Sequence, residues 1–245
     1  MLIKTENPGT LRKSIELISE LVTEVRIKIG EYGLSISAMD PANVAMVSFK
    51  IPKSSFSEFN TEDEEKLGIN LNDFKRILKR TGTKSSLKLE KKENNLKIQI
   101  EDRIKRTFTL ALLDIDSEEI NFSEKVEKME FSSSVEINSV DLVDAIEDCA
   151  VVADSCTFKI QDEKFVISSR GINSSRTEFS GDDAKIEAEE CLSKYSVEYL
   201  QKFIKGAKLC EKTLLKFSND HPLKIEFKTG DSELNFILAP RVETE

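Results

Sequence analysis

Two stretches of the chain, residues 10–22 and 139–152, repeat apolar residues at helical spacing. Each leads into short segments that alternate every second residue: Arg26-Ile-Lys-Ile-Gly30 and Gly33-Leu-Ser-Ile-Ser-Ala-Met39 in the first half, Thr157-Phe-Lys-Ile-Gln161 and Lys164-Phe-Val-Ile-Ser168 in the second. The first period predicts amphipathic helices and the second half-buried strands. A further helix is predicted over 72–80 and another over 197–208, with Asn72 and Ser196 as N-caps. More alternating strands follow in both halves.

The halves also match residue by residue, at an offset of about 127 positions. Leu71-Asn-Asp-Phe-Lys-Arg-Ile-Leu-Lys79 aligns with Val197-Glu-Tyr-Leu-Gln-Lys-Phe-Ile-Lys205, and Asn95-Leu-Lys-Ile-Gln-Ile100 with Pro222-Leu-Lys-Ile-Glu-Phe227. Phe108–Leu112 matches Asn235–Ala239 in apolar character, and Ile15, Ile18, Leu21 and Val22 correspond to Val143, Ile146, Cys149 and Ala150. Two unrelated amphipathic helices would not also keep the later strands in register. The expectation is an α+β chain of two similar domains, each with antiparallel sheets covered on one face by two helices. Residues 114–127 hold six acidic residues and one lysine without either period, so they read as a connector. The domains are accordingly 1–113 and 128–245.

At 245 residues, 39% hydrophobic and 33% charged, the chain has enough apolar content for two packed cores. No apolar run approaches the ~20 residues that span a bilayer. The start MLIKTENPGT lacks an apolar signal core, so the expected setting is the cytoplasm, or the nucleus of a nucleated cell. Cys149, Cys156, Cys191 and Cys210 form no CxxC and read as buried small hydrophobes. His221 is the sole histidine and sits beside Pro222, which excludes a multi-histidine metal site and suggests a turn. Phosphate-loop, dinucleotide and nucleophile-elbow motifs are missing, so neither catalytic residues, metal nor cofactor are expected. An acidic hydrolase whose carboxylates bind a metal is the alternative from another class, with no motif behind it.

A net charge of −9 argues against a protein that simply coats nucleic acid, so the distribution of charge matters. On a helical wheel Leu71, Phe74, Ile77 and Leu78 form one stripe and Lys75, Arg76, Lys79 and Arg80 lie opposite. In the second half Lys202 and Lys205 occupy the angles of Arg76 and Lys79, with Lys208 on the flank. Such a face suits phosphates, which bind point charges without reading sequence; the alternative is an ordinary solvated face of mixed sign. The leading helices fit less well. Arg12 and Lys13 are offset by Glu16 and Glu20, and the second carries Asp141, Asp144, Glu147 and Asp148 with no base.

With Ala38-Met-Asp-Pro-Ala-Asn-Val-Ala-Met-Val47, Leu113-Asp-Ile-Asp116 and the terminal Leu238-Ala-Pro-Arg-Val242, these features resemble the DNA sliding clamp of the proliferating cell nuclear antigen type over essentially the whole chain. The resemblance implies a DNA-clamp fold in a homotrimeric ring of six domains around duplex DNA. Helices would line the hole, and a clamp loader would place the ring. It implies a processivity factor for DNA polymerase and other replication and repair proteins, with no chemistry of its own. Arg12, Lys13, Arg76, Lys79 and Lys205 match lining positions of the family; Lys75, Arg80, Lys202 and Lys208 come from the wheel alone. The acidic helix at 141–148 departs from the family's basic pattern and keeps open a subunit of a heterotrimeric or checkpoint-type clamp.

Strand parity puts Met39 and Met46 on the otherwise polar faces of their strands, which suggests an exposed, adaptable apolar surface unless the connector covers it. By resemblance, a pocket for peptides carrying a glutamine and paired aromatics comprises Met39, Asn43, Met46, Ile120, Phe122, Pro222, Ala239, Pro240 and Val242. The same resemblance places the subunit contact between a strand near Lys105–Leu113 and one near Ser174–Gly181 of the next copy, involving Lys105, Phe108, Leu110, Glu178 and Phe179. Arg106, Asp182 and Asp183 are further partners for ion pairs there.

Overall fold

The computed structural model describes residues 1–116 and 119–242, so positions 117–118 of the expected connector and 243–245 of the expected second domain lie outside the described residues. The chain divides into two compact units. One is Met1–Pro41 with Val47–Asn121 and Thr229–Leu234; the other is Ala42–Met46 with Phe122–Lys228 and Asn235–Glu245.

In chain order the first unit is built from β1 (Leu2–Thr5), α1 (Gly9–Ile18), β2 (Glu24–Ile29), β3 (Gly33–Met39), β4 (Ala45–Pro52), β5 (Glu58–Asn60), β6 (Glu65–Asn70), α2 (Leu71–Leu78), β7 (Ser86–Lys92), β8 (Asn95–Glu101) and β9 (Lys105–Ala111). One antiparallel sheet has the order β5-β1-β7-β8-β9, and a second run has the order β4-β3-β2-β6. Alternation decides the faces: β7 buries Leu87 and Leu89, while β8 buries Leu96, Ile98 and Ile100. The helices bury Leu11, Ile15 and Ile18 from α1 and Leu71, Phe74 and Leu78 from α2. Each of these side chains contributes about 1.5–3 kcal/mol by leaving water.

Asn70 caps α2, not Asn72. Its side-chain oxygen accepts from the N–H groups of Asn72 (3.0 Å) and Asp73 (3.3 Å). The helix begins at Leu71, so Asn72 is already inside it. Ser196 does occupy the cap position of the corresponding helix, but its side chain makes no cap hydrogen bond.

The second unit contains α3 (Phe122–Glu127), β10 (Ser133–Asn138), α4 (Ser139–Val152), β11 (Ser155–Gln161), β12 (Lys164–Arg170), β13 (Ser174–Phe179), β14 (Ala184–Ala188), β15 (Cys191–Ser196), α5 (Val197–Phe203), β16 (Lys212–Phe217), β17 (Leu223–Thr229) and β18 (Ser232–Leu238). From β10 onward it repeats the first unit element for element. Strand runs β14-β10-β16-β17-β18 and β13-β12-β11-β15 reproduce the two orders of the first unit with every strand in its equivalent place. The aligned segments 95–100 and 222–227 are β8 and β17. The fold is thus α+β, mainly antiparallel sheets with a few helices.

Two expectations need correction. The connector is not free of regular structure, because Phe122–Glu127 forms α3, with Phe122 buried and Lys128 Nζ 2.7 Å from Glu124. A helix of under two turns is too short to show a 3.6-residue period. The helix predicted over 197–208 is α only to Phe203 and continues as 3-10 turns over Ile204–Leu209. Gly206 lies there against the Phe227 ring, where a β-carbon would stand 2.7 Å from a ring atom. The core beneath is aromatic: Phe203 stacks on Phe236 at 4.5 Å, and Phe158 meets Phe165, Tyr195 and Phe217 edge-on.

Candidate functional site

The predicted cations of the first unit sit on α1 and α2, which pack side by side. They differ in how free they are. Arg12 donates to the Thr81 carbonyl at 2.7 Å, and Lys75 donates to Ser19 Oγ at 2.9 Å. Lys79 is half exposed but lies 2.8 Å from Glu16, and that hydrogen bond holds the Glu16 carboxyl below the usual range. Arg76 is 79% exposed, with Asp73 only 3.3 Å away on the same helix. Lys13 and Arg80 are exposed.

The second unit is arranged otherwise. Lys202 pairs with Glu198 at 2.9 Å and lies over the Tyr199 ring. Lys205 and Lys208 are exposed on the 3-10 turns, and Asp141, Asp144, Glu147 and Asp148 are exposed along α4. Glu147 accepts from Gln201 Nε2 at 3.1 Å. The helices of the first unit and their ends therefore present six bases against Glu16, Glu20 and Asp73. Those of the second present Lys202, Lys205 and Lys208 against four α4 acids and Glu198. Attraction for a polyanion is concentrated in the first unit.

Of the expected pocket residues, Met39 and Ile120 belong to the first unit and the rest to the second. Within the second, the Ala239 N–H donates to the Val44 carbonyl at 2.9 Å, which sets the tail beside the 42–46 turn. Asn43 holds φ +56° in that turn, a conformation asparagine tolerates. Pro222, Ala239 and Pro240 are half-buried, and Val242 is exposed. Met46 is buried at 6%, so the exposure that parity suggested does not hold: Ser48, on the same side of β4, is fully covered as well. Phe122 is also buried. His221 packs edge-on against Phe131, and its carbonyl accepts from Ser193 Oγ and Tyr195 OH.

β9 and β13 each end a sheet, so each leaves one row of backbone groups unpaired by its own sheet. Lys105 and Glu178 are exposed and Phe108 is half-buried. Leu110 and Phe179 are buried, and Phe179 stacks on Phe165 at 5.9 Å. They face their own cores and are not free for contact outside. Arg106 bonds to Asp102 and to the Arg80 carbonyl, and Asp183 accepts from Ser180. Glu178 engages Arg176 and Lys164.

Sequence reasoning missed the anchors of the connector. Arg26 donates to the Ile115 carbonyl, and Glu119 is held by Lys66 and, at 2.6 Å, by Lys28. Leu113 bridges Gly68, where any β-carbon would collide with the Leu113 carbonyl oxygen. On alternating strands these bases look like routine solvent-facing residues.

Among the described residues no group of three or more His, Cys, Asp or Glu is placed to hold a metal ion, and no helix is long and apolar enough to cross a membrane. The family description "Proliferating cell nuclear antigen, N-terminal domain" matches residues 1–120, and "Proliferating cell nuclear antigen, C-terminal domain" matches 125–242. A DNA polymerase sliding clamp of Thermococcus onnurineus is 35% identical, over 94% of this chain and 93% of the relative. One from Methanococcus maripaludis is 34% identical over the full length of both. A solved chain of the PCNA2–PCNA3 complex from Sulfolobus tokodaii superposes with a TM-score of 0.88 at 29% identity, covering 99% of this chain and 100% of that one.

Proposed function

The chain belongs to the proliferating cell nuclear antigen family, and from that premise we propose that it is a sliding clamp that encircles duplex DNA and tethers DNA polymerase and other replication and repair proteins. The observation that carries this reading is the repeated unit with its basic α1–α2 surface. Phosphate contacts from Arg12, Lys13, Lys75, Arg76, Lys79, Arg80, Lys202, Lys205 and Lys208 hold the polyanion without fixing a register, so the clamp translates along DNA. The functional domains are 1–113 and 128–245, joined by 114–127. No residue acts as a catalyst.

The ring is a homotrimer in which the β9 edge of one copy pairs with the β13 edge of the next. Because Leu110 and Phe179 are buried in their own units, the contact relies on backbone pairing together with Lys105, Phe108 and Glu178. Client proteins and the clamp loader dock a short peptide at Met39, Asn43, Met46, Ile120, Phe122, Pro222, Ala239, Pro240 and Val242.

The exposed acids of α4 favour a second reading, in which sister chains complete a heterotrimer and supply more positive charge. Two measurements test both. Primer extension on circular DNA with a clamp loader should yield longer products when the chain is added, and unchanged product length from a chain that is trimeric in solution would overturn the clamp. A solution mass across a dilution series should give three copies; a persistent monomer or dimer would move the reading to the heterotrimer.

A further inference from the structure

Cys149 lies in the last turn of α4 and Cys156 is the second residue of β11. Both are fully buried, and the Cys156 thiol donates to the Cys149 sulfur across 3.3 Å. The short reversal through Ala153 and Asp154 brings them together. Cys149 also has the Ser175 hydroxyl beside it. The other two cysteines have oxygen neighbours and no thiol partner of this kind: Cys191 Sγ is 3.0 Å from Ser133 Oγ, and Cys210 Sγ is 3.0 Å from the Lys212 carbonyl.

We propose that Cys149 and Cys156 are a peroxide-oxidisable thiol pair that closes a reversible disulfide, stapling the end of α4 to β11. The pair is asymmetric in the way such chemistry needs. The hydrogen bond from Cys156 favours the Cys149 thiolate and pulls its pKa down, while Cys156 retains the shared proton and is pushed up. Cys149 thiolate attacks one peroxide oxygen and the O–O bond breaks. Cys149 becomes a sulfenic acid, and the hydroxide released takes up the proton that Cys149 lost, giving water. The Cys156 sulfur then attacks the Cys149 sulfur, and its proton leaves with the sulfenic oxygen as a second water. Two thiols give up two electrons and the peroxide accepts both. The sulfurs close from 3.3 Å to about 2.05 Å, a movement of little more than an ångström.

Access is through the 153–154 loop. Arg241 secures it, with Nη1 2.9 Å from the Asp154 carboxylate and 3.1 Å from the Asp154 carbonyl. Opening of this loop limits the rate, so the bond forms slowly in the resting fold and faster when Arg241 lets go. Once formed, it stiffens the helix that bears the exposed acidic face.

The test treats the full-length reduced protein with hydrogen peroxide, followed by intact mass and non-reducing peptide mapping. The expected result is a loss of two hydrogen masses, a cross-link between the peptides holding Cys149 and Cys156, and full reversal by dithiothreitol. Arg241→Ala should speed the reaction several-fold and Cys156→Ser should abolish it. If Cys156→Ser fails to fold, the wild-type oxidised form carries the test through a higher urea midpoint that reduction removes. Oxygen added to Cys149 without a cross-link would overturn the proposal. So would thiols that stay reduced until the whole chain unfolds.

Discussion

The Lys79 ammonium lies 2.8 Å from the Glu16 carboxylate across the packed faces of α1 and α2. A cation proposed to meet phosphate is therefore held by an acid of the neighbouring helix, and a phosphate must compete for it. Glu16→Gln should release Lys79 and tighten sequence-independent DNA binding. The gain is at most about fivefold at low salt, since an exposed pair is worth under ~1 kcal/mol. Titration of the purified protein against a short duplex at several salt concentrations checks this. Unchanged affinity would mean that Lys79 does not face DNA.

Arg76→Glu with Lys79→Glu should have the opposite effect. Removing one cation from the phosphate backbone lowers the salt dependence of binding by about 0.9 in log–log slope, so the double variant should bind more weakly and respond less to salt. The fold should persist, because both side chains are exposed and such surface changes usually stay within about 0.5 kcal/mol. Circular dichroism should match wild type while polymerase stimulation falls. Stimulation that survives at physiological salt would remove this face from the proposed track.

The two-unit organisation is legible in the sequence because it rests on signals that repeat. The stripe Leu71, Phe74 and Leu78 and the run Leu96, Ile98 and Ile100 recur in the second half, and both periods survive into the structure. Single-residue choices are less legible. Asn70 and Asn72 are equally good caps by type, and only the first helical residue separates them. The buried Met46 reads as exposed in the sequence because parity names the side of a strand but not what covers that side. Lys28 and Lys66 give no sign of holding Glu119, since ion pairs between distant segments leave no local pattern.

Phe203→Ala should cost about 3–5 kcal/mol of stability by opening a cavity under the α5 region. Its ring is fully buried and stacked on Phe236 at 4.5 Å, in a core already filled by aromatic rings that have little room to collapse inward. The urea midpoint of the second unit should fall sharply. A loss below ~1 kcal/mol would contradict so tight a packing of the two rings.

Glu119 should make the connector sensitive to acid. Hydrogen bonds from Lys28 and then Lys66 push its carboxyl down to about 2, from an ordinary 4.5. A depressed carboxylate contributes its stabilisation above the ordinary value and loses it as pH falls toward the folded one. The anchor is therefore complete above pH 4.5 and fades between 4.5 and about 2. Glu119 and its partners are more than a third exposed, so global stability should barely change, and the effect belongs to the connector. Glu119→Gln should lower the hydrogen-exchange protection of 113–116 and 119–121 at neutral pH. The buried strands should stay protected in the variant at neutral pH. Equal protection of the connector in variant and wild type at neutral pH would show that the Arg26 bond and the Gly68–Leu113 bridge suffice without the ion pairs.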